Sequence, residues 1–343
     1  MFREAMTARC DPRIDVGTLD WMQVRRRSAR QMVNLTVILA FGLVGPVPLL
    51  GQMRQQPAAE PQFPVTARVL VDGKFDRCEG IAFNGKGDLY VAGDRALWRV
   101  STAGDVTKIA DLYSNLGLAP IGDRDILMAD FGPTSRFDTG PNVDGIVWRI
   151  TPEGDKTRIV DGGVGDPNAL VILSDTTFLI SDDATDEIFI ADMTGRVGLF
   201  TDAIGHPNGL ALSADGSTLF VVQIFGSLRP MTIDDRIWAM SLENGVPVGE
   251  PQVIAHTGEG AANDGLALDE LGRIYVAANG TGQILRIDPE TGDVVLIAEN
   301  MPGAASIAFG QGSFDRESIY VTSTRTGKVW EVKVGIGGAA LRR

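Results

Sequence analysis

The sequence is poor in the side chains that bind transition metals: its 343 residues include two cysteines and two histidines. Cys10 and Cys78 cannot form a disulfide framework or a thiolate cluster, and His206 and His256 alone cannot build a zinc site. Cys78, beside Glu79, is either a reactive thiol or, as is commoner, a small buried packing residue. A Gly-x-Ser-x-Gly nucleophile motif and a glycine-rich phosphate loop before a helix are also missing, which argues against two common enzyme classes.

Basic side chains are scarce as well, with 31 Lys and Arg against 44 Asp and Glu and a formal net charge of -13. Nucleic acid binding needs a basic face, so the charge argues against nucleic acid as a partner. The acidic surplus is compatible with a bound cation, and equally with ordinary solubility. We expect a monomer that acts on a small molecule.

The longest apolar run lies at residues 33–50 and follows an arginine-rich segment. A basic segment before such a run is typical of a signal peptide, although a short membrane anchor and a buried core helix are alternatives. We expect residues 1–51 to be a signal peptide or N-terminal membrane anchor, followed by a linker over 52–62. The rest of the chain would then be exported and would be periplasmic, extracellular or membrane-anchored on the outer side. It would contact a membrane only if the N-terminal segment is not cleaved.

A repeated template begins after the linker. Its clearest copy is Asp264-Gly265-Leu266-Ala267-Leu268, with a second apolar run, Ile274-Tyr275-Val276-Ala277, beginning eight residues after Leu266. The copies start at Ile81, Leu118, Leu170, Leu210, Leu266 and Ile307. The 41 glycines and 17 prolines are spread through the chain, which favours many short strands joined by turns. A third strand carries tryptophan in four copies, at Trp98, Trp148, Trp238 and Trp330.

Copies of roughly 40–45 residues with four strands each predict an all-β fold. We predict a six-bladed β-propeller over residues 63–335, with four antiparallel strands per blade. The last copy lacks a fourth strand, and residues 65–71 resemble one, so this N-terminal strand should close the ring. Residues 336–343 would form a C-terminal tail. Two inserts, at residues 131–143 and 224–234, should overhang the mouth of the central channel.

One position, two residues before the start of each copy, carries the functional argument. We call this set the inner-strand column: Glu79, Leu116, Asn168, Asn208, Asp264 and Ala305. Inner strands surround the channel of a propeller, so its four oxygen-bearing members should converge, although the two asparagines also fit ordinary turns. Two carboxylates and two amides suit calcium, which accepts six to eight oxygen ligands. We predict a site for calcium, or another divalent cation, at Glu79, Asn168, Asn208 and Asp264.

The runs around these residues resemble the SMP-30/gluconolactonase/luciferin-regenerating-enzyme-like family of six-bladed propeller hydrolases. The resemblance covers about residues 64–334, and the matching runs are Glu79-Gly80-Ile81-Ala82, His206-Pro207-Asn208-Gly209-Leu210-Ala211-Leu212-Ser213 and Asp264-Gly265-Leu266-Ala267-Leu268-Asp269. It implies that Glu79, Asn208 and Asp264 hold a catalytic divalent cation, commonly calcium. Asn168 matches the extra asparagine of related phosphotriesterases and paraoxonases. The Arg-x-Asn pair of the sugar lactonases is not found in the second copy, which counts against gluconolactone as the substrate.

The resemblance implies a calcium-dependent hydrolase acting on lactone or ester substrates. Asp264 is the expected base or nucleophile, with Glu79 second, and Asp130 and Asn279, at the ends of second strands, are expected to line the substrate pocket. His206 fits a turn or supporting role better than catalysis. Two alternatives stay open: a phosphotriesterase- or paraoxonase-like activity, and a non-catalytic binding or scaffold propeller with a structural cation.

Overall fold

The computed structural model describes residues 61–134 and 142–343, so the predicted signal or anchor segment and most of the linker lie outside it. Within the described ranges all regular structure is β, and no helix is long and apolar enough to cross a membrane. In chain order the strands are β1 (Arg68–Val71), β2 (Cys78–Phe83), β3 (Leu89–Gly93), β4 (Ala96–Val100), β5 (Val106–Asp111), β6 (Leu118–Ile121), β7 (Asp125–Asp130), β8 (Ile146–Ile150), β9 (Lys156–Asp161), β10 (Pro167–Ser174), β11 (Thr177–Asp182), β12 (Ile188–Asp192), β13 (Val197–Thr201), β14 (Pro207–Leu212), β15 (Thr218–Gln223), β16 (Phe225–Leu228), β17 (Met231–Ile233), β18 (Arg236–Glu243), β19 (Val246–Pro247), β20 (Gln252–His256), β21 (Asn263–Leu268), β22 (Ile274–Ala278), β23 (Gln283–Ile287), β24 (Val294–Ala298), β25 (Ala304–Phe309), β26 (Ser318–Ser323) and β27 (Val329–Lys333).

Six antiparallel sheets form the blades of a ring. Blade 1 is β2–β5, blade 2 is β6–β9, blade 3 is β10–β13 and blade 5 is β21–β24. Blade 4 consists of β14, β15, β18 and β20, with the short β19 also paired to β18, and blade 6 consists of β25, β26, β27 and β1. The first strands of neighbouring blades contact one another around the channel. The predicted six-bladed β-propeller is therefore confirmed.

The ring is closed by the N-terminal strand, as predicted. β1 pairs antiparallel with β27, so that Arg68 lies opposite Glu331 and Val69 opposite Trp330. The strand is shorter than the predicted residues 65–71, because Val65 turns instead to blade 5, where its backbone N–H donates to a carbonyl of β24 over 2.8 Å. The closing segment therefore joins the last blade to its neighbour as well as completing it.

The core consists of apolar layers between blades. One layer joins Tyr90 and Leu97 of blade 1 to Met128 and Trp148 of blade 2, and similar clusters fill the other interfaces. Strands buried on both faces explain why the second strands read as continuous apolar runs, such as the fully buried Ile274–Ala278. Each blade therefore depends on its neighbours for burial, and this fixes the positions of the inner strands.

The C-terminal residues cover the end of the channel farthest from the inner-strand column. The backbone N–H of Ala339 donates to the carbonyl of Leu268 over 2.9 Å, and the Arg342 guanidinium donates to the carbonyl of Ser213 over 2.7 Å. Residues 339–342 border a cavity of about 190 Å³ lined by apolar residues of the inner strands. The segment predicted as a tail thus packs against blades 4 and 5.

Candidate active site

The inner strands are irregular at the position of the inner-strand column. In five blades the pairing of first and second strands shifts register across it, between Cys78 and Ile81, Pro167 and Leu170, Pro207 and Leu210, Asn263 and Leu266, and Ala304 and Ile307. A bulge of this kind leaves the extra residues unpaired and re-aims their side chains. Five of the six column members line one cavity, and Ala305 is the exception. The structure therefore shows the predicted convergence of Glu79, Asn168, Asn208 and Asp264.

Close contact between neighbouring inner strands brings the column residues together. A Cβ added at Gly80 would lie 2.0 Å from the backbone oxygen of Leu116, and one at Gly209 would lie 2.6 Å from that of Asp264. Only glycine permits this approach of one backbone to the next. The glycine that follows the column position in these copies therefore allows neighbouring inner strands to lie close together.

Where the glycine after the column position is missing, a serine or threonine hydroxyl links the neighbouring inner strands by hydrogen bonds. In blade 3 the residue after the column position is Ala169, whose backbone N–H donates to Ser181 Oγ over 2.9 Å, while Ser181 Oγ donates to the carbonyl of Asn208 over 2.7 Å. Thr322 does the same in blade 6, since it accepts from the backbone of Ser306 and donates to the carbonyl of Glu79. Each hydroxyl thereby fixes the backbone of a predicted metal ligand on the next blade.

A cavity of about 560 Å³ opens above the column. Two asparagines orient carboxylates in it: Asn168 Nδ2 donates to Asp183 Oδ2 over 3.0 Å, and Asn279 Nδ2 donates to Asp264 Oδ2 over 2.9 Å. Asn279 Nδ2 also lies 3.0 Å from Thr324 Oγ1. Since the Asn168 amide donates through its nitrogen, its oxygen is the atom left to bind a cation.

A second set of residues reaches the cavity from the ends of the second strands. These residues lie three positions after the one that pairs with the start of each copy, and we call them the second-strand column: Asp94, Phe131, Asp183, Ile224, Asn279 and Thr324. All of them except Asp94 line the cavity. Sequence reasoning identified Asn279 but missed Asp183, although the register that gives Asn279 also gives Asp183.

Asp130 does not line the cavity, contrary to the prediction for it. It lies one residue before the second-strand column, and neighbouring residues of a strand point to opposite faces. Its fully buried carboxylate accepts hydrogen bonds from the backbone of Tyr113 over 3.0 Å, from Ser114 Oγ over 2.8 Å and from Trp148 Nε1 over 2.9 Å. Asp130 thus holds the third-strand tryptophan, and the next residue, Phe131, reaches the cavity.

Three carboxyl groups face one another at the base of the cavity. Burial, together with the charges of Asp264 and Asp183, raises the pKa of Glu79 well above its usual range. Burial raises the pKa of Asp264 to about 7, against the donated hydrogen bond from Asn279, which lowers it. Burial and nearby carboxylates, Asp182 first among them, also raise the pKa of Asp183, and its Oδ1 is buried with no hydrogen-bond partner. The protein alone leaves this negative charge uncompensated.

The donor set fits a hard cation. The site offers carboxylates from Glu79, Asp183 and Asp264 and amide oxygens from Asn168 and Asn208, which are the ligand types that calcium prefers. In the described part of the chain no three Asp, Glu, His or Cys side chains stand close enough to enclose an ion by themselves. The amide oxygens are therefore needed to complete a coordination shell, together with water or substrate.

One side of the mouth of the cavity is apolar. The two predicted inserts both contribute to it, with Phe131 from one and Ile224, Phe225 and Ile233 from the other. The second insert forms the hairpin β16–β17. His206 supports this wall from behind: its Nδ1 lies 3.0 Å from the backbone oxygen of Asp183 and its ring packs edge-on against Phe225. The supporting role expected for His206 agrees with these contacts.

Cys78 is a packing residue and not a reactive thiol. Its side chain is fully buried, its Sγ lies 3.4 Å from the carbonyl oxygen of Lys328, and burial raises its pKa to about 12. A thiol in this state stays protonated and has no nucleophilic role at neutral pH.

The family model of the SMP-30/gluconolactonase/LRE-like region matches residues 150–325, which is just over half of the chain. The chain belongs to this family. The match covers β9 of blade 2, blades 3 to 5 and the strands β25 and β26 of blade 6. It includes Asn168, Asn208 and Asp264, while Glu79 lies before it. No significant match was found among curated protein sequences.

Solved structures of the SMP-30/gluconolactonase/LRE-like family share the fold. A calcium-binding regucalcin from Agrobacterium tumefaciens is 21% identical, with a TM-score of 0.63, covering 81% of this chain and 96% of its own. A gluconolactonase from Xanthomonas campestris is 18% identical, with a TM-score of 0.62, covering 78% and 90%. A luciferin-regenerating enzyme is 16% identical, with a TM-score of 0.60, covering 79% and 97%. At these identities the likeness concerns the propeller and its topology.

Proposed function

We propose that the protein is a calcium-dependent hydrolase of lactones or esters. The observation that carries this proposal is the convergence of Glu79, Asp183 and Asp264, with two asparagine amides, beneath an apolar mouth. Uncompensated buried carboxylates are costly to a fold, so a site that collects three of them is best explained by a cation. Family membership and the name of the regucalcin structure, a calcium-binding protein, support the choice of calcium.

Bound calcium would polarise the carbonyl oxygen of the substrate. Glu79, Asn208 and Asp264 would hold it, and Asn168 and Asp183 would complete the shell. Asp264 is the proposed base: Asn279 donates to its Oδ2, which leaves Oδ1 to take a proton from the attacking water. Burial raises the pKa of this carboxyl to about 7 when no metal is bound. Direct attack by Asp264 on the carbonyl carbon is the alternative role.

A substrate screen tests the activity. Lactones, aryl esters and phosphotriesters are offered to the purified protein, with calcium and after chelation. We expect turnover of lactones or esters that is lost on chelation and restored by calcium. A preference for phosphotriesters would indicate a phosphotriesterase-like enzyme, and calcium binding without any turnover would indicate a scaffold with a structural ion.

Two variants test whether Asp264 is only a calcium ligand or also the base. Asp264→Asn keeps one oxygen and removes a charge, so calcium affinity should fall about tenfold or more, and turnover should stay at least about a hundredfold low at saturating calcium. Asn208→Asp should bind calcium at least as tightly. Asp105→Asn, an exposed residue of the β4–β5 turn, is the matched control for loss of one carboxylate. If saturating calcium restores full turnover to Asp264→Asn, Asp264 is a calcium ligand only. If calcium affinity is unchanged in both variants, the residues do not form a metal site.

A further inference from the structure

Arg325 is the one basic residue among the described residues that line the cavity. It follows β26 in blade 6, and its side chain is exposed. Its guanidinium makes no hydrogen bond or ion pair with any described residue, whereas most arginines of the ring have such partners, as Arg236 has Asp234. A cationic group without a partner at the mouth of a site is free to receive an anion or a strong acceptor.

The stem of Arg325 is held in place although its head is free. Gly303 packs directly against it, since a Cβ at position 303 would lie 2.6 Å from Arg325 Cγ. The backbone N–H of Arg325 donates to Ser323 Oγ over 3.2 Å, and the hydroxyl of Ser323 donates in turn to the carbonyl of Pro302 over 2.8 Å. The guanidinium therefore extends from a fixed base at the rim.

The opposite rim is apolar. In a ring of six blades, blade 3 lies across from blade 6, and blades 2 and 4 flank blade 3. Phe131 comes from blade 2, and Ile224, Phe225 and Ile233 come from blade 4 and its insert. Ile233 is 47% exposed, so its apolar side chain is open to contact with a ligand. The mouth thus has a cationic side and an apolar side, with the carboxylates below.

We propose that the substrates are lactones or esters with an apolar body and an anionic group, bound with the anion at Arg325 and the apolar body against Phe131, Phe225 and Ile233. This inference rests on the proposed hydrolase function and narrows its substrate class. The carboxylates of Glu79, Asp183 and Asp264 together carry one more negative charge than a calcium ion balances. The base of the cavity therefore disfavours the anionic group of the substrate, and Arg325 fixes the direction in which the substrate enters. A polyhydroxylated lactone would place its hydroxyl groups against apolar side chains, which would cost it hydrogen bonds to water.

The test compares three lactones: γ-decalactone, the same lactone with a terminal carboxylate on its alkyl chain, and D-glucono-1,5-lactone. The wild-type protein should prefer the carboxylate lactone and be weakest on the gluconolactone. In Arg325→Gln the ratio of kcat/KM for the carboxylate lactone to that for γ-decalactone should fall about tenfold, and Arg325→Lys should recover part of it. Arg316→Gln removes the same charge from the exposed β25–β26 turn at the other end of blade 6 and should leave the ratio unchanged. Loss of folding would lower both rates and would not change their ratio.

A binding measurement decides the inference even if no lactone is turned over. The ring-opened carboxylate lactone, a hydroxydicarboxylate, is titrated into the calcium-loaded protein in a calorimeter. Weaker binding to Arg325→Gln, and to Phe225→Ala for the apolar contact, would support the inference while the absence of turnover overturned the hydrolase. Equal affinity of the wild-type protein and Arg325→Gln, or no binding at all, would overturn the inference. A wild-type preference for gluconolactone would overturn it too.

Discussion

Replacement of Asp264 by asparagine should stabilise the protein when no metal is bound and reduce the further stabilisation that calcium gives. The metal-free fold holds three buried carboxyl groups, and the charge of Asp264 raises the pKa of both Glu79 and Asp183. Asp264→Asn removes one of them, while the amide oxygen can still accept from Asn279. The substitution therefore relieves repulsion in the empty site and removes a ligand from the loaded one.

The magnitude follows from the pKa of Asp264, which burial raises from 3.8 to about 7. The folded state therefore keeps this proton to a higher pH than the unfolded state does. The contribution of Asp264 to the stability of the metal-free protein should fall as pH rises from about 4 to about 7 and then level off. One pKa unit corresponds to about 1.4 kcal/mol, so the ionised group destabilises the fold by about 4 kcal/mol at pH 8. Allowing for imperfect replacement by an amide, we expect Asp264→Asn to be about 2–4 kcal/mol more stable at pH 8.

Urea unfolding, followed by tryptophan fluorescence, measures this difference in metal-stripped protein at pH 4 and pH 8. The advantage of Asp264→Asn should be present at pH 8 and absent at pH 4. Calcium at a hundred times the Kd of the wild type should add about 2.7 kcal/mol to the wild type and about 1.4 kcal/mol or less to the variant. Asp105→Asn should follow the wild type throughout. If Asp264→Asn is no more stable than wild type at pH 8 without metal, burial of the ionised Asp264 does not destabilise the metal-free fold and the electrostatic reasoning is wrong.

Three further predictions concern the rest of the chain. Removal of residues 1–60 should leave a soluble folded protein, whereas removal of residues 1–72 should cause aggregation, because it exposes the edge of β27; a soluble, cooperatively unfolding 73–343 protein would disprove the closure. Asp130→Ala should lower the free energy of unfolding by about 3 kcal/mol, because buried donors including Trp148 Nε1 lose their acceptor, while calcium affinity measured by calorimetry should stay unchanged. The apolar run at residues 33–50 predicts export, and fractionation of the native host should find the mature protein outside the cytoplasm; full-length protein in the cytosol would contradict this.

The inner-strand column shows how much of the site the sequence determined. Repetition of one template placed Glu79, Asn168, Asn208 and Asp264 in the same register, and a ring of repeats brings equal positions to one axis. The same repetition gave the number of blades and the strand that closes the ring, because β pairing must leave no open edge. These results needed only the spacing of the copies along the sequence and the general topology of a closed ring of blades.

The second-strand column shows what the tertiary structure decided. Asp130 and Asp183 are both acidic residues at the end of a second strand, yet they stand one register position apart. Along a strand one position separates the face that holds Trp148 from the face that lines the cavity. The ends of strands are the least certain part of a prediction from sequence. Only the register of the folded strands could therefore assign Asp183 to the site and Asp130 to the packing of blade 2. The partnerless Arg325 was likewise visible only in three dimensions, since whether a side chain has a partner depends on residues distant in the chain.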